Sequence, residues 1–132
     1  MRLPRHYKLT RYKDTVDKGV RYDIHYNGNN IAYALVYPFR SEKRRQIAAS
    51  ERQGLQKVNG PWLEGIVVAP EHQGKGLAQY LLKKVEQAAP NQVIQLLARP
   101  YKGKGLSQKE LFRFYGERGY KAYDGMKMMK RL

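Results

Sequence analysis

The chain has 132 residues, 42% of them hydrophobic, and a formal net charge of +15, which supports one domain with one real core, spanning 1–132, and excludes wholesale disorder. No apolar run approaches 18 residues, so no membrane span is expected, and the basic opening MRLPRHYKLTRYKD lacks the apolar stretch of a secretory signal. Cysteine is absent, which excludes disulfide and thiolate chemistry and is compatible with a cytoplasmic location; His6, His25 and His72 lack metal-ligand spacing, so no metal is expected.

The charge is unevenly placed. Residues 1–13 carry five basic groups and no acid, residues 40–57 six basic and two acidic, and residues 99–132 ten basic and three acidic. Residues 58–98 carry three of each and are neutral. A basic excess of this kind attracts polyanions, so a nucleic-acid or ribonucleoprotein partner stands beside the plainer reading of a solvated surface.

Arg5–Tyr12 alternates like a strand. Val20–Tyr37 reads as a β-hairpin around Asn27-Gly28-Asn29-Asn30, and its parity places Tyr22, Ile24 and Tyr26 on one face with Ile31, Tyr33 and Leu35. That tyrosine stripe suits either a base-stacking platform or packing under helices. Residues 40–57 read as a charged excursion or a short surface helix. Pro61–Pro70 has a nearly continuous apolar end and predicts a central strand. Leu77, Leu81, Val85 and Ala88 follow at helical spacing, and Gln92–Ala98 is a second buried strand. Ser107 with Glu110 forms a capping box for a helix through Phe112 and Tyr115, ended by Gly116 and Gly119. YKAY and MKMMKRL close the chain as a hairpin around Asp124-Gly125. The order predicts a mixed α/β (α+β) fold, one sheet with helices against it.

The tetrapeptide GKGL occurs twice, in APEHQGKGLAQYLLKKVEQAA and in RPYKGKGLSQKELFRFYGERGY. The first copy links a strand ending at Pro70 to a helix. Glycines let such a turn tighten and let a ligand approach the chain, and the first amides of the helix point outward unpaired. A phosphate satisfies them, with the helix dipole adding about 0.3–2 kcal/mol. The spacing fits neither a P-loop nor a dinucleotide fingerprint. Gln73-Gly74-Lys75-Gly76-Leu77-Ala78 does fit Gln/Arg-x-x-Gly-x-Gly/Ala at every fixed place, after IVVAPEH and before an amphipathic helix.

That block resembles the acyl-CoA-binding signature of the GNAT N-acetyltransferase superfamily, and FYGERGY, Phe114 to Tyr120, resembles the family's second landmark. The resemblance runs from about Trp62 to Tyr120. It implies a GNAT-like, mostly antiparallel sheet flanked by helices. It implies acetyl-CoA as co-substrate, with its pyrophosphate on the backbone of Gln73, Gly74, Lys75, Gly76, Leu77 and Ala78. The pantetheine arm would pair with Ile66, Val67 and Val68, in a gap where that strand splays from Val93–Ala98. Only backbone is needed at the turn, so Lys75 can equally face solvent.

Acyl transfer to an amine needs a base, oxyanion donors and an acid for the leaving thiolate. Glu64 lies nine residues ahead of Gln73, and strand alternation puts Trp62 and Ile66 on its face, an apolar setting in which desolvation favours a neutral carboxyl. By resemblance Glu64 is the general base and Tyr115 the general acid, with a backbone N–H near Val68 as oxyanion donor. The plainer alternatives are a carboxylate holding a cation and a tyrosine packed on the core. The family's frequent cofactor-contacting Asn falls at Gln108, which substitutes for it or leaves the contact to Ser107. The second GKGL lies in a variable family loop, where Lys102 and Lys104 face solvent, the acceptor or the adenosine 3′-phosphate.

The family usually has two helices after its first strand; only KDTVDKG stands there, so this helical pair is shortened or missing and the acceptor side should be open. An open site with basic ends suits a macromolecular primary amine, on a protein or on amine-bearing RNA or DNA, with residues 40–57 as polymer contact. A non-catalytic GNAT-like module that binds nucleic acid or a protein partner is the alternative. Exposed sheet edges make a homodimer possible.

Overall fold

The computed structural model describes residues 2–38, 60–98, 100 and 106–132. The basic excursion at 40–57 and the Lys102/Lys104 loop lie outside the described residues. The strands are β1 (Tyr7–Lys13), β2 (Val20–Tyr26), β3 (Asn29–Tyr37), β4 (Trp62–Val68), β5 (Val93–Leu97), β6 (Lys121–Asp124) and β7 (Lys127–Arg131). Helix α1 (Leu77–Gln87) joins β4 to β5, and α2 (Gln108–Glu117) joins β5 to β6. The strands form one sheet in the order β1-β2-β3-β4-β5-β7-β6, antiparallel except where β4 meets β5. The mixed α/β expectation holds.

The β2–β3 hairpin turns on Asn27 and Gly28, with φ of 50° and 79°. Both positive values mark a type I′ turn, whose twist matches that of the strands it joins. A bulge follows: Ile24 faces Ala32 while His25 faces Asn30, leaving Ile31 extra. The extra residue reverses the alternation, so the expected partition is corrected. Tyr22 and Ile24 share the buried face with Ala32, Ala34 and Val36, not with Ile31, Tyr33 and Leu35.

That buried face receives α1 through Leu77, Leu81, Leu82 and Val85, each buried. Full burial of such side chains is worth about 1.5–3 kcal/mol each. Ala88, expected on the apolar stripe, is exposed, and Ala89 is buried instead. The helix has already ended at Gln87, and its last turn tightens through bonds from the Ala88 N–H to Lys84 O and Val85 O.

Helix α2 begins at the expected capping box: the Ser107 hydroxyl accepts from the Glu110 N–H, and Glu110 accepts from the Ser107 N–H. It ends as a Schellman motif, with Tyr120 N–H on Tyr115 O and Gly119 N–H on Gly116 O. Gly119, at φ 96°, takes the left-handed position; Gly116 lies inside the helix rather than ending it. Tyr120 then anchors this end. Its hydroxyl donates to Glu86 Oε2 at 3.0 Å, and Lys130 reaches the same oxygen at 3.1 Å.

Between β1 and β2 there is no helix. Asp14 Oδ1 accepts from the N–H groups of Val16 and Asp17, and the Asp14 N–H donates to Gly19 O, which closes a compact turn. No helix among the described residues is long and apolar enough to cross a membrane.

Where β4 and β5 meet, Gly60 is pressed against backbone: a Cβ there would stand 1.7 Å from Val93 O. Gly60→Ala is therefore expected to cost at least about 3 kcal/mol, the upper end of ordinary overpacking, because a main chain cannot yield as a side chain does. The midpoint of urea unfolding measures it, and an unchanged midpoint would contradict the close approach. Burial, followed by the Glu86 charge, raises the Tyr120 phenol far above its ordinary range. The folded chain thus keeps a proton that the unfolded chain loses above about pH 10. Stability is expected to fall as pH rises past that point, with a shallower fall in Tyr120→Phe, as followed by urea midpoints between pH 9 and 11.

Candidate active site

β4 and β5 are parallel and paired at only two positions, Trp62 with Gln95 and Leu63 with Leu96. Past Leu63 the strands diverge. The antiparallel partner of β4 determines what the gap receives. Ala69 N–H donates to Ile31 O, which makes Ala32/Val68 a non-hydrogen-bonded pair. By alternation Val67 bonds to β3, while the N–H and C=O of Ile66 and Val68 point into the gap. The splay expected between these strands is present.

A cavity of about 250 Å³ lies beside the end of β4 past this divergence. Ile66 and Val68 form one wall, the Gln73–Gln79 turn another, and Leu111, Phe114 and Tyr115 of α2 a third. Val67, Lys75 and Gln108 do not line it. Lys75 is exposed, which fits its solvent-facing alternative. The Ser107 hydroxyl accepts from the Glu110 N–H in the cap, keeps its own O–H to donate, and does not line the cavity.

The turn itself is pinned from several sides. Pro70–His72 forms one turn of 3₁₀ helix, with His72 N–H on Ala69 O. The Tyr7 hydroxyl and His72 Nδ1 share a hydrogen bond of 2.7 Å, and the Tyr26 ring lies 5.0 Å from that of His72. Gln73 Nε2 donates to Val68 O at 3.1 Å, occupying a carbonyl that faces the wedge. Gly74 and Gly76 have φ of 77° and 78°. Gly76 is the N-cap of α1 and offers no side-chain cap, and the first intrahelical bond is Tyr80 N–H to Gly76 O. The amides of Leu77, Ala78 and Gln79 therefore have no partner within the helix and stand at the cavity as donors.

Tyr115 is buried, sits at the cavity wall, and packs edge-on against Phe114 and Tyr120 at ring separations of 5.2 and 5.6 Å. Glu64 is placed differently from the expectation. Leu35 faces Gly65 and Val36 faces Leu63, so Glu64 is the extra residue of a bulge. Trp62 and Ile66 consequently lie on opposite faces: Ile66 faces Ala34 of the core, and Trp62 faces Tyr37 in a separate cluster. Glu64 is exposed rather than enclosed by apolar groups, and its Oε2 accepts from the Trp62 indole N–H at 3.0 Å. The carboxylate does not line the cavity; Glu64 is the first residue past the last β4–β5 pair.

Several cavity residues lie outside the sequence reading: Gln79, Leu106 and Leu111 are not singled out there, His72 enters only as a histidine without metal-ligand spacing, and Arg118 only as part of FYGERGY. Arg118 follows Tyr115 by three residues, a spacing that places both on one side of α2 and is a usable signal. No group of three or more potential metal ligands occurs among the described residues.

The family model described as Acetyltransferase (GNAT) family matches residues 3–120. Among solved structures, a GNAT family acetyltransferase from Elizabethkingia anophelis, with acetyl-CoA bound, aligns with a TM-score of 0.59 at 13% identity, covering 98% of this chain and 100% of that one. A structure described as a bacterial toxin aligns at 0.62 with 16% identity over 95% and 90%. A Corynebacterium glutamicum protein, described as histone acetyltransferase HPA2 and related acetyltransferase, aligns at 0.58 with 16% identity. It is covered over 64% of its length by 86% of this chain, so the present chain spans about two-thirds of that relative. At these identities the likeness is one of fold. No curated protein matches the chain.

The turn makes a separable prediction. A Cβ at Gly74 would meet nothing within 4 Å, so only its positive φ restricts the position. Gly74→Ala is expected to lose about 1–2 kcal/mol, and Gly74→Asn less, because Asn tolerates the left-handed region. Equal unfolding midpoints for the two variants would refute that ordering.

Proposed function

The chain belongs to the acetyltransferase (GNAT) family, and on that footing we propose that it is an N-acyltransferase moving the acetyl group of acetyl-CoA to a primary amine on a macromolecule. The observation that carries the reading is the wedge: a cavity with strand backbone on one side and unpaired helix amides at one end. Extended pantetheine amides suit the N–H and C=O of Ile66 and the N–H of Val68, and a diphosphate suits the amides of Leu77, Ala78 and Gln79. Val68 N–H, or that of Ile66, supplies the oxyanion donor.

In the reaction the amine nitrogen attacks the thioester carbonyl, the C–N bond forms and the C–S bond breaks. Glu64 takes the proton lost by the ammonium, directly or through water, and the Tyr115 hydroxyl protonates the departing thiolate. Glu64 lies on an exposed bulge, which lets an acceptor reach it from outside. Tyr115 serves from the cavity wall. A large acceptor is favoured by the compact turn that replaces helices between β1 and β2, together with the +15 charge.

Labelled acetyl-CoA incubated with the protein and a cell lysate tests the proposal. Label is expected in the protein, RNA or DNA fraction; label confined to small molecules would refute the macromolecular acceptor. Binding of acetyl-CoA with no transfer would leave the non-catalytic alternative. With the acceptor in hand, Glu64→Gln and Tyr115→Phe are each expected to lower kcat about 10- to 100-fold, the low end of acid–base effects, because amine attack on a thioester is intrinsically easy. KM for acetyl-CoA should hold. Unchanged kcat in both variants would remove these roles.

A further inference from the structure

Resting on the acetyl-CoA reading above, we propose that Arg118 binds the diphosphate of the cofactor directly and sets the preference for the full carrier over its diphosphate-free fragment. The cradle on α1 consists of neutral amide dipoles, in a stretch, residues 58–98, whose basic and acidic side chains balance. Lys75 is exposed and off the cavity. Among the described residues that line the cavity, Arg118 alone carries a permanent charge.

Its position is set from α2. The Schellman turn fixes the backbone, and the guanidinium lies 4.0 Å from the centre of the Phe114 ring. Its Nη2 donates to Gln79 Oε1 at 3.3 Å, and Gln79 is the third residue of α1, whose own amide belongs to the cradle. The charge therefore stands beside the amides that a diphosphate would meet.

The donors of Arg118 are not used up. A guanidinium has five N–H groups. Nη1 donates to Phe114 O at 2.8 Å, Nη2 makes the long bond to Gln79, and Nε is buried with no partner. The Glu117 carboxylate is 3.9 Å away, beyond hydrogen-bond distance, and it is held at 2.9 Å by Arg113. Nε is enclosed and lies beyond a ligand's reach, but Nη1 and Nη2 each keep an N–H beyond the bonds above, and a phosphate oxygen at the cradle accepts from those.

Calorimetry on the full chain tests this with three ligands: acetyl-CoA, dephospho-acetyl-CoA, which lacks the 3′-phosphate, and acetyl-pantetheine, which lacks the diphosphate. Arg118→Met keeps the length and apolar contact of the side chain. It is expected to weaken acetyl-CoA and dephospho-acetyl-CoA alike, by about 10- to 100-fold, the range of a lost charged hydrogen bond, and to leave acetyl-pantetheine unchanged. Arg118→Lys keeps the charge and should recover part of the loss; it carries the same comparison if the Met variant does not fold. Equal weakening of all three ligands would mean a packing role and overturn the proposal. So would a loss confined to acetyl-CoA, which would point to the 3′-phosphate, or no loss at all. Failure of the wild-type chain to bind acetyl-CoA would overturn the cofactor reading with it, whereas wild-type binding with an unaffected Met variant overturns the Arg118 assignment alone.

Discussion

The β-ladder between β4 and β5 stops after Leu63 and Leu96, and the rest of the site depends on that stop. A continued ladder would satisfy the inward N–H and C=O groups of Ile66 and Val68 within the protein. Its interruption leaves them without a ladder partner: Gln73 Nε2 meets the Val68 carbonyl, and the Ile66 groups and the Val68 N–H are open to a ligand or water. The turn and α1 follow from the same point. With β5 displaced, the chain leaving β4 can pass through Gly74 and Gly76 and present its first helical amides to the end of the wedge. α2 closes the third side, its register fixed by a capping box at one end and a Schellman turn at the other.

Much of this was legible because it is local. Ser107 and Glu110 specify their helix start within four residues, and Leu77, Leu81 and Val85 specify the buried face of α1 by spacing alone. The glycines of the turn declare left-handed backbone directly. What was not legible is what depends on a partner strand. Ile31 and Glu64 become bulge residues only through the register that β3 adopts with its two neighbours, and each reverses an alternation that single-strand parity takes for granted. One reversal misassigned the hairpin faces. The other turned an expected enclosed acid into an exposed one beside an indole N–H. Arg118 was hidden for a different reason: its three-residue step from Tyr115 gives its side of α2, but its contact to Gln79 on α1 exists only in the folded chain.

The distribution of charge also takes on a structural sense. The strand and turn walls of the cavity come from the neutral segment 58–98, and the α2 wall, with Arg118, comes from the basic stretch 99–132. On the proposed reading, anion recognition there would rest on oriented dipoles with one guanidinium beside them, rather than on bulk attraction. Dipoles and buried donors act over a few ångströms and are only weakly screened by salt, whereas the field of the basic ends is long-ranged and screened.

The same interruption divides the sheet into two antiparallel blocks, β1–β4 and β5–β7–β6, joined by two register pairs and by what α1 adds across them. A seam so short is the natural line for sub-global opening, with each block behaving as a separate cooperative unit. A molecule in the cavity would touch β4, the start of α1 and α2, tying the first block to the helix that leads into β6, so its occupancy would be linked to the cohesion of the two. At a hundredfold excess over its Kd this linkage is worth about 2.7 kcal/mol, a large share of a small domain's stability. Substrate supply would then govern how long the protein survives as well as how fast it turns over.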